Sequence, residues 1–127
     1  MKIKNLRTQE VVIGGWKPGE GRRQGLLGSL LIGVPGPDGL DYVGHVGTGF
    51  TDKMLRDLEA DLRPLARNTA PFAVAVPRAQ AKDARWVAPE LVGEVAFSEW
   101  TKDGRLRHPA WRGLRPDKSP DEVRRES

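Results

Sequence analysis

A chain of 127 residues has room for one domain with one buried core. It has no cysteine, no apolar leader after Met1 and no run near the ~20 apolar residues of a membrane span, so disulfide, thiolate-metal and membrane classes are set aside and a cytoplasmic protein is expected. The formal charge of +4 and the pI near 9.8 are unevenly placed: residues 1–25 carry +4, 26–101 carry −3, 102–118 carry +4 and 119–127 carry −1, the distribution of a polyanion-binding face if both basic ends fold to one side.

Glycine and proline punctuate short apolar runs, which favours strands over a helical bundle. The first strand is expected over Glu10 to Trp16, closed by Lys17-Pro18-Gly19-Glu20-Gly21. The second runs from Gly25 to Val34, with Leu26, Leu30, Ile32 and Val34 on one parity, and Pro35-Gly36-Pro37-Asp38-Gly39 makes a hairpin. In the third, Leu40 to Phe50, the residues Leu40, Tyr42, Val46 and Phe50 alternate with Asp41 and His45, as a half-buried strand requires; Val43 breaks the alternation. The period then changes. Met54, Leu55, Leu58, Leu62 and Leu65 recur at helical spacing, predicting a helix over Thr51 to Ala66 with Thr51 as N-cap and Asp52 at the positive end of the dipole. Two further strands are expected, Glu90 to Trp100 and a shorter one near Leu106 to Trp111, joined by Thr101-Lys102-Asp103-Gly104. From Pro116 the mixture of proline, serine and charge reads as a loose tail.

Three strands, one helix and two strands make an all-β domain with one helix, laid out as a five-stranded Greek-key OB-fold barrel with the helix between strands 3 and 4. A mixed α+β sandwich is the competing architecture. Arg22 and Arg23 sit in a glycine-rich loop whose backbone can follow a DNA strand, with Lys17 and His45 as weaker candidates for the same surface. Trp16, Trp86, Trp100 and Trp111 suit base stacking or, more simply, burial in the barrel. Neither His45 nor His108 has a ligand-spaced partner, so no metal site is expected.

Three strings are more specific. Lys2-Ile3-Lys4-Asn5-Leu6-Arg7-Thr8-Gln9-Glu10-Val11-Val12-Ile13-Gly14-Gly15-Trp16 resembles the join between the nucleotidyltransferase and OB domains of bacterial ATP-dependent DNA ligases of the non-homologous end-joining (ligase D) type. Val43-Gly44-His45-Val46-Gly47-Thr48-Gly49-Phe50 is similar to that family's third barrel strand, and Trp111-Arg112-Gly113-Leu114-Arg115-Pro116-Asp117-Lys118 to its motif VI. The resemblance runs from Lys2 to about Arg125. It departs from the family in one respect: the Lys-x-Asp-Gly motif that carries the catalytic lysine is missing, since Lys102-Asp103-Gly104 lacks the spacer and Gly36-Pro37-Asp38-Gly39 lacks the lysine. The expectation is a C-terminal domain separated from its catalytic partner, in which residues 1–9 are the motif V linker, 10–118 the OB domain and 119–127 a flexible tail, and which is inactive alone.

The resemblance implies roles. Lys2 and Lys4 match motif V and point to one side of an extended strand, toward the adenylate phosphate. Arg112, Arg115 and Lys118 match the clamp on the β and γ phosphates of ATP, and Asp117 orients a neighbouring cation; a solvated basic tail is the plainer alternative. ATP and Mg²⁺ are the cofactors of the whole ligase. Nicked or broken duplex DNA, the nucleotidyltransferase domain of the same ligase and the Ku end-binding protein are the candidate partners, in DNA repair in the bacterial cytosol. A free-standing single-strand-binding module and the OB domain of an RNA-capping guanylyltransferase are the alternatives.

Overall fold

The computed structural model of the protein describes residues 7–19 and 27–126. Its strands are β1 (Arg7–Pro18), β2 (Leu27–Gly36), β3 (Gly39–Val46), β4 (Arg85–Trp86), β5 (Val92–Phe97), β6 (Glu99–Trp100), β7 (Leu106–Arg107) and β8 (Ala110–Leu114), with helices α1 (Asp52–Leu62) and α2 (Arg78–Ala81) between β3 and β4. The main sheet has the order β3-β2-β1-β5-β8, antiparallel throughout, with β4 also paired to β1; β6 and β7 form a separate hairpin. The ladder is not closed. Just beyond the end of β3 the Thr48 carbonyl accepts the Trp111 N–H of β8 at 2.8 Å.

Both faces of the strands are covered over part of their length, so strict alternation fails where burial is two-sided. Val11, Val12 and Ile13 on β1 and Leu30, Leu31 and Ile32 on β2 are consecutive and fully buried. The parity break at Val43 has a different cause. Ile32 pairs with Gly44 and Gly33 with Tyr42, leaving Val43 as the extra residue of a β-bulge, so Tyr42 and Val43 are both buried.

The helix starts where the sequence places it: the Thr51 hydroxyl accepts the Met54 N–H at 3.1 Å, while Leu58 and Leu62 face the core. It stops four residues earlier than Ala66, because Pro64 cannot continue an α-helical ladder and Arg63–Leu65 becomes a 3₁₀ turn. The expected strand Glu90 to Trp100 divides at Ser98, whose N–H and hydroxyl both bond the Arg107 carbonyl; β6 then leaves the main sheet to pair β7 across a turn with Gly104 at φ +77°. His108, at φ 55°, and Pro109 interrupt the chain after β7, so the last ladder strand lies at Ala110–Leu114 rather than Leu106 to Trp111.

Trp111 is 3 % exposed and stacks on Phe50, with ring centroids 5.8 Å apart; a side chain at Gly93 would collide with its indole, so a glycine is needed beneath it. Trp16, Trp86 and Trp100 also pack on the core, which turns all four tryptophans to structural use. Residues 119–126, read as a loose tail, are docked. Val123 is 1 % exposed within the core, and the buried Gln9 amide donates to the Arg124 carbonyl at 2.8 Å and accepts the Glu126 N–H at 2.8 Å. Trp100 Nε1 donates to the Glu126 carbonyl at 2.6 Å, and the Arg125 guanidinium lies over the Trp100 ring.

Candidate functional site

The register of β1 against β5 puts Glu10 directly opposite Glu94. Two carboxylates so placed repel each other unless cations intervene, and β8 supplies them. Between Glu94↔Gly113 and Val95↔Trp111 the residue Arg112 is an unpaired bulge, which re-aims its side chain so that Nε reaches Glu94 Oε1 at 3.4 Å. Beyond Leu114 the Arg115 N–H bonds the Val92 carbonyl at 2.7 Å and the Lys118 N–H the Arg115 carbonyl at 3.1 Å. This turn folds the chain back over the acids. Arg115 Nη1 lies 3.0 Å from Glu10 Oε2 and 3.7 Å from Glu94 Oε2, and Lys118 Nζ lies 3.7 Å from Glu10 Oε1.

Asp117 takes the other edge of the guanidinium in a two-pronged contact, Nε to Oδ1 at 3.2 Å and Nη2 to Oδ2 at 3.0 Å. That hydrogen bonding, with the paired charge, raises the Arg115 pKa above its usual value and holds the Asp117 carboxyl below the ordinary carboxylate range. The cluster is therefore three cations on three carboxylates, on a half-exposed surface beside a cleft of about 490 Å³ lined by Arg7, Thr8, Glu10, Glu94, Lys118 and Glu126. The Arg115 fork is thus held by Asp117 on one edge, while Nη1 faces Glu10.

Arg112, Arg115, Asp117 and Lys118 thus come together. Lys17 and His45 do not join them. Lys17 is seven residues along β1 from Glu10, roughly 20 Å at the rise of a strand, and its ammonium donates to the Ala79 carbonyl at 3.0 Å. His45 stands on β3 opposite Leu31, where desolvation of part of its ring and, secondarily, the Lys17 charge lower its pKa. The Lys17 charge is thus felt at His45, away from the cluster. Lys2, Lys4, Arg22 and Arg23 lie outside the described residues. Glu10 and Glu94 were not singled out by sequence; each is one acid in a strand, and only the register makes them a pair. Among the described residues no three His, Cys, Asp or Glu side chains gather as a metal site, and no helix is long and apolar enough to cross a membrane.

Comparison with known proteins gives the following. The family described as "ATP dependent DNA ligase C terminal region" matches residues 23–118. The chain is 57% identical over 123 residues to the multifunctional non-homologous end joining protein LigD of Mycolicibacterium smegmatis, covering 97% of this chain and 16% of that protein. It is 54% identical over 126 residues to the non-homologous end joining DNA repair protein LigD of Mycobacterium tuberculosis, covering 99% and 17%. It therefore spans about a sixth of the length of these relatives. The crystal structure of the ligase domain of M. tuberculosis LigD superposes with a TM-score of 0.92 at 54% identity, covering 95% of this chain and 39% of that one. A mycobacterial DNA ligase D complexed with ATP and MES superposes with a TM-score of 0.86 at 52% identity, over 97% and 39%.

Proposed function

The chain belongs to the family of ATP-dependent DNA ligase C-terminal domains, and from that membership we propose that it serves non-homologous end joining by presenting Arg112, Arg115 and Lys118 to the β and γ phosphates of ATP during self-adenylation. The gathering of these three cations on one surface, with Arg115 forked by Asp117, is the observation that carries the reading. Developing charge on a pyrophosphate leaving group is best stabilised by donors fixed in advance, and a guanidinium matches its oxygens two at a time. The site fits a polyphosphate. Magnesium would arrive with the nucleotide, since a metal that holds phosphates needs only one or two protein carboxylates and here Glu10, Glu94 and Asp117 face cations.

The strand order, together with the Trp111-to-Thr48 bond that ties β8 to the segment following β3, supports a five-stranded Greek-key OB barrel with α1 between its third and fourth strands. In this reading the cluster side meets the nucleotidyltransferase domain, where Lys2 and Lys4 complete the adenylate site. Lys17 and His45 follow the phosphates of nicked or broken duplex DNA, and Arg22 and Arg23, outside the described residues, are assigned the same role. Closure between the two domains gates the chemistry, and the Ku end-binding protein brings the ligase to ends. A mycobacterial ligase whose C-terminal domain is replaced by this chain tests the proposal. The chimera should take a covalent AMP label and seal a nick, while this chain alone should do neither. A folded chimera that binds DNA but takes no label contradicts the reading.

A further inference from the structure

The four carboxylate oxygens of the Glu10–Glu94 pair are each matched to a cation. Glu10 Oε1 faces Lys118 and its Oε2 faces Arg115; Glu94 Oε1 faces Arg112 and its Oε2 faces Arg115. Two anionic groups on adjacent strands thus engage Arg112, Arg115 and Lys118 together, in the way two linked phosphates would. The sheet itself does not demand carboxylates at these two positions: a polar cross-strand pair without charge would satisfy the same ladder. The carboxylates and the cations neutralise one another on a surface open to the cleft.

We propose that Glu10 and Glu94 are positioning residues that act as an internal stand-in for polyphosphate, so that phosphate binding at this surface is an exchange of anions and not an addition to free cations. The inference rests on the reading of Arg112, Arg115 and Lys118 as phosphate ligands. Asp117 does not take part in the exchange. Its two-pronged hold on Nε and Nη2 fixes the plane of the guanidinium, while Nη1, Lys118 Nζ and Arg112 Nε pass from carboxylate to phosphate oxygen. Two consequences follow physically. Without phosphate the cations are already ordered, so little side-chain freedom is lost on binding. Each bond formed to phosphate must also displace a bond to carboxylate, so affinity is restrained and the pyrophosphate product is not retained.

The test is a titration of the chain with inorganic tripolyphosphate, by calorimetry and by the NMR signal of the Arg115 Nε–H group. Neutralising one stand-in removes a competing charge at ion-pair range, so Glu10→Gln and Glu94→Gln should each tighten binding about three- to tenfold, and the Arg115 signal should move at lower ligand concentration. Asp83→Asn, exposed and two residues before Arg85, which pairs Trp16 six residues along β1 from Glu10 (roughly 20 Å at the rise of a strand), makes the same change in net charge and should alter affinity less than about twofold, because exposed charges beyond a screening length contribute little. In an Arg115→Ala background the gain from Glu10→Gln should shrink, since the two effects share one contact. Equal gains from Asp83→Asn and Glu10→Gln, or weaker binding by both glutamine variants in chains that melt as the parent does, would overturn the proposal. Tighter binding by the glutamine variants with no effect of Arg115→Ala, Arg112→Ala or Lys118→Ala in any background would overturn the phosphate-ligand reading itself.

Discussion

Gln9 is where one substitution reports most directly on how the C-terminal segment is held. Its amide is 1 % exposed and makes three hydrogen bonds: Nε2 donates to the Glu10 carbonyl at 2.7 Å and the Arg124 carbonyl at 2.8 Å, and Oε1 accepts the Glu126 N–H at 2.8 Å. Gln9→Ala removes all three. At about 0.5 to 1.5 kcal/mol net for each, the loss is about 2 to 3 kcal/mol once the freed Arg124 and Glu126 groups return to water. For a chain of this size that lowers the melting temperature by about 10 °C. Gln9→Glu should cost at least as much, since it keeps the acceptor for Glu126 but turns the donor toward Arg124 into a second acceptor. Urea melts measure the stability and amide hydrogen exchange measures the latch: the Glu126 amide should be protected in the parent and exposed in Gln9→Ala. A Glu126 amide that exchanges at the free-peptide rate in the parent, with Gln9→Ala melting within about 0.5 kcal/mol of it, would refute the docking of residues 119–126.

Trp111→Ala should destabilise the domain by about 3 to 5 kcal/mol in urea melts, because it empties a buried site stacked on Phe50 and roofed over Gly93; a loss below about 1 kcal/mol contradicts that packing. Asp117 has its folded pKa depressed by Arg115, so its contribution is present above the unfolded carboxylate value of about 3.9 and is lost as pH falls through the lower folded value. Asp117→Asn should therefore flatten the decline of melting temperature below about pH 4, and identical profiles for parent and variant contradict the pairing. Duplex DNA should bind with a steep salt dependence, a slope of about −5 in log affinity against log salt for about six phosphate contacts, and binding indifferent to salt counts against a backbone-reading surface.

Much of the ladder was legible because its signals are local. Pro35-Gly36-Pro37-Asp38-Gly39 and Asp103-Gly104 turn the chain where glycine and proline say they must, and Thr51 caps the one long helix. Even the fault at Val43 was visible as a broken parity, though only the pairing shows it to be a bulge. What could not be read depends on distant partners. Val123 is a lone apolar residue in a charged stretch, and its segment is held by Gln9, more than a hundred residues away. At the candidate site, the string Arg112 to Lys118 was conspicuous by composition, while the acids that neutralise it were not. Glu10 and Glu94 look like ordinary solvent-facing positions until the register of β1 and β5 sets them side by side. The break at Ser98 likewise follows from its two bonds to Arg107, which no local pattern announces.

Whether Arg115 acts on the pyrophosphate of ATP is decided by comparing two rates in one enzyme. In a ligase carrying this domain, the rate of self-adenylation with ATP and magnesium is compared with the rate of sealing a nick that already bears the 5′ adenylate, for the parent and for Arg115→Ala. Pyrophosphate leaves only in the first step, so a clamp on it stabilises only that transition state. Removing one such donor should slow adenylation about a hundred- to a thousandfold while leaving the sealing of the adenylated nick within about threefold of the parent. Equal slowing of both steps would place Arg115 on DNA, and parental rates in both would contradict the claim outright.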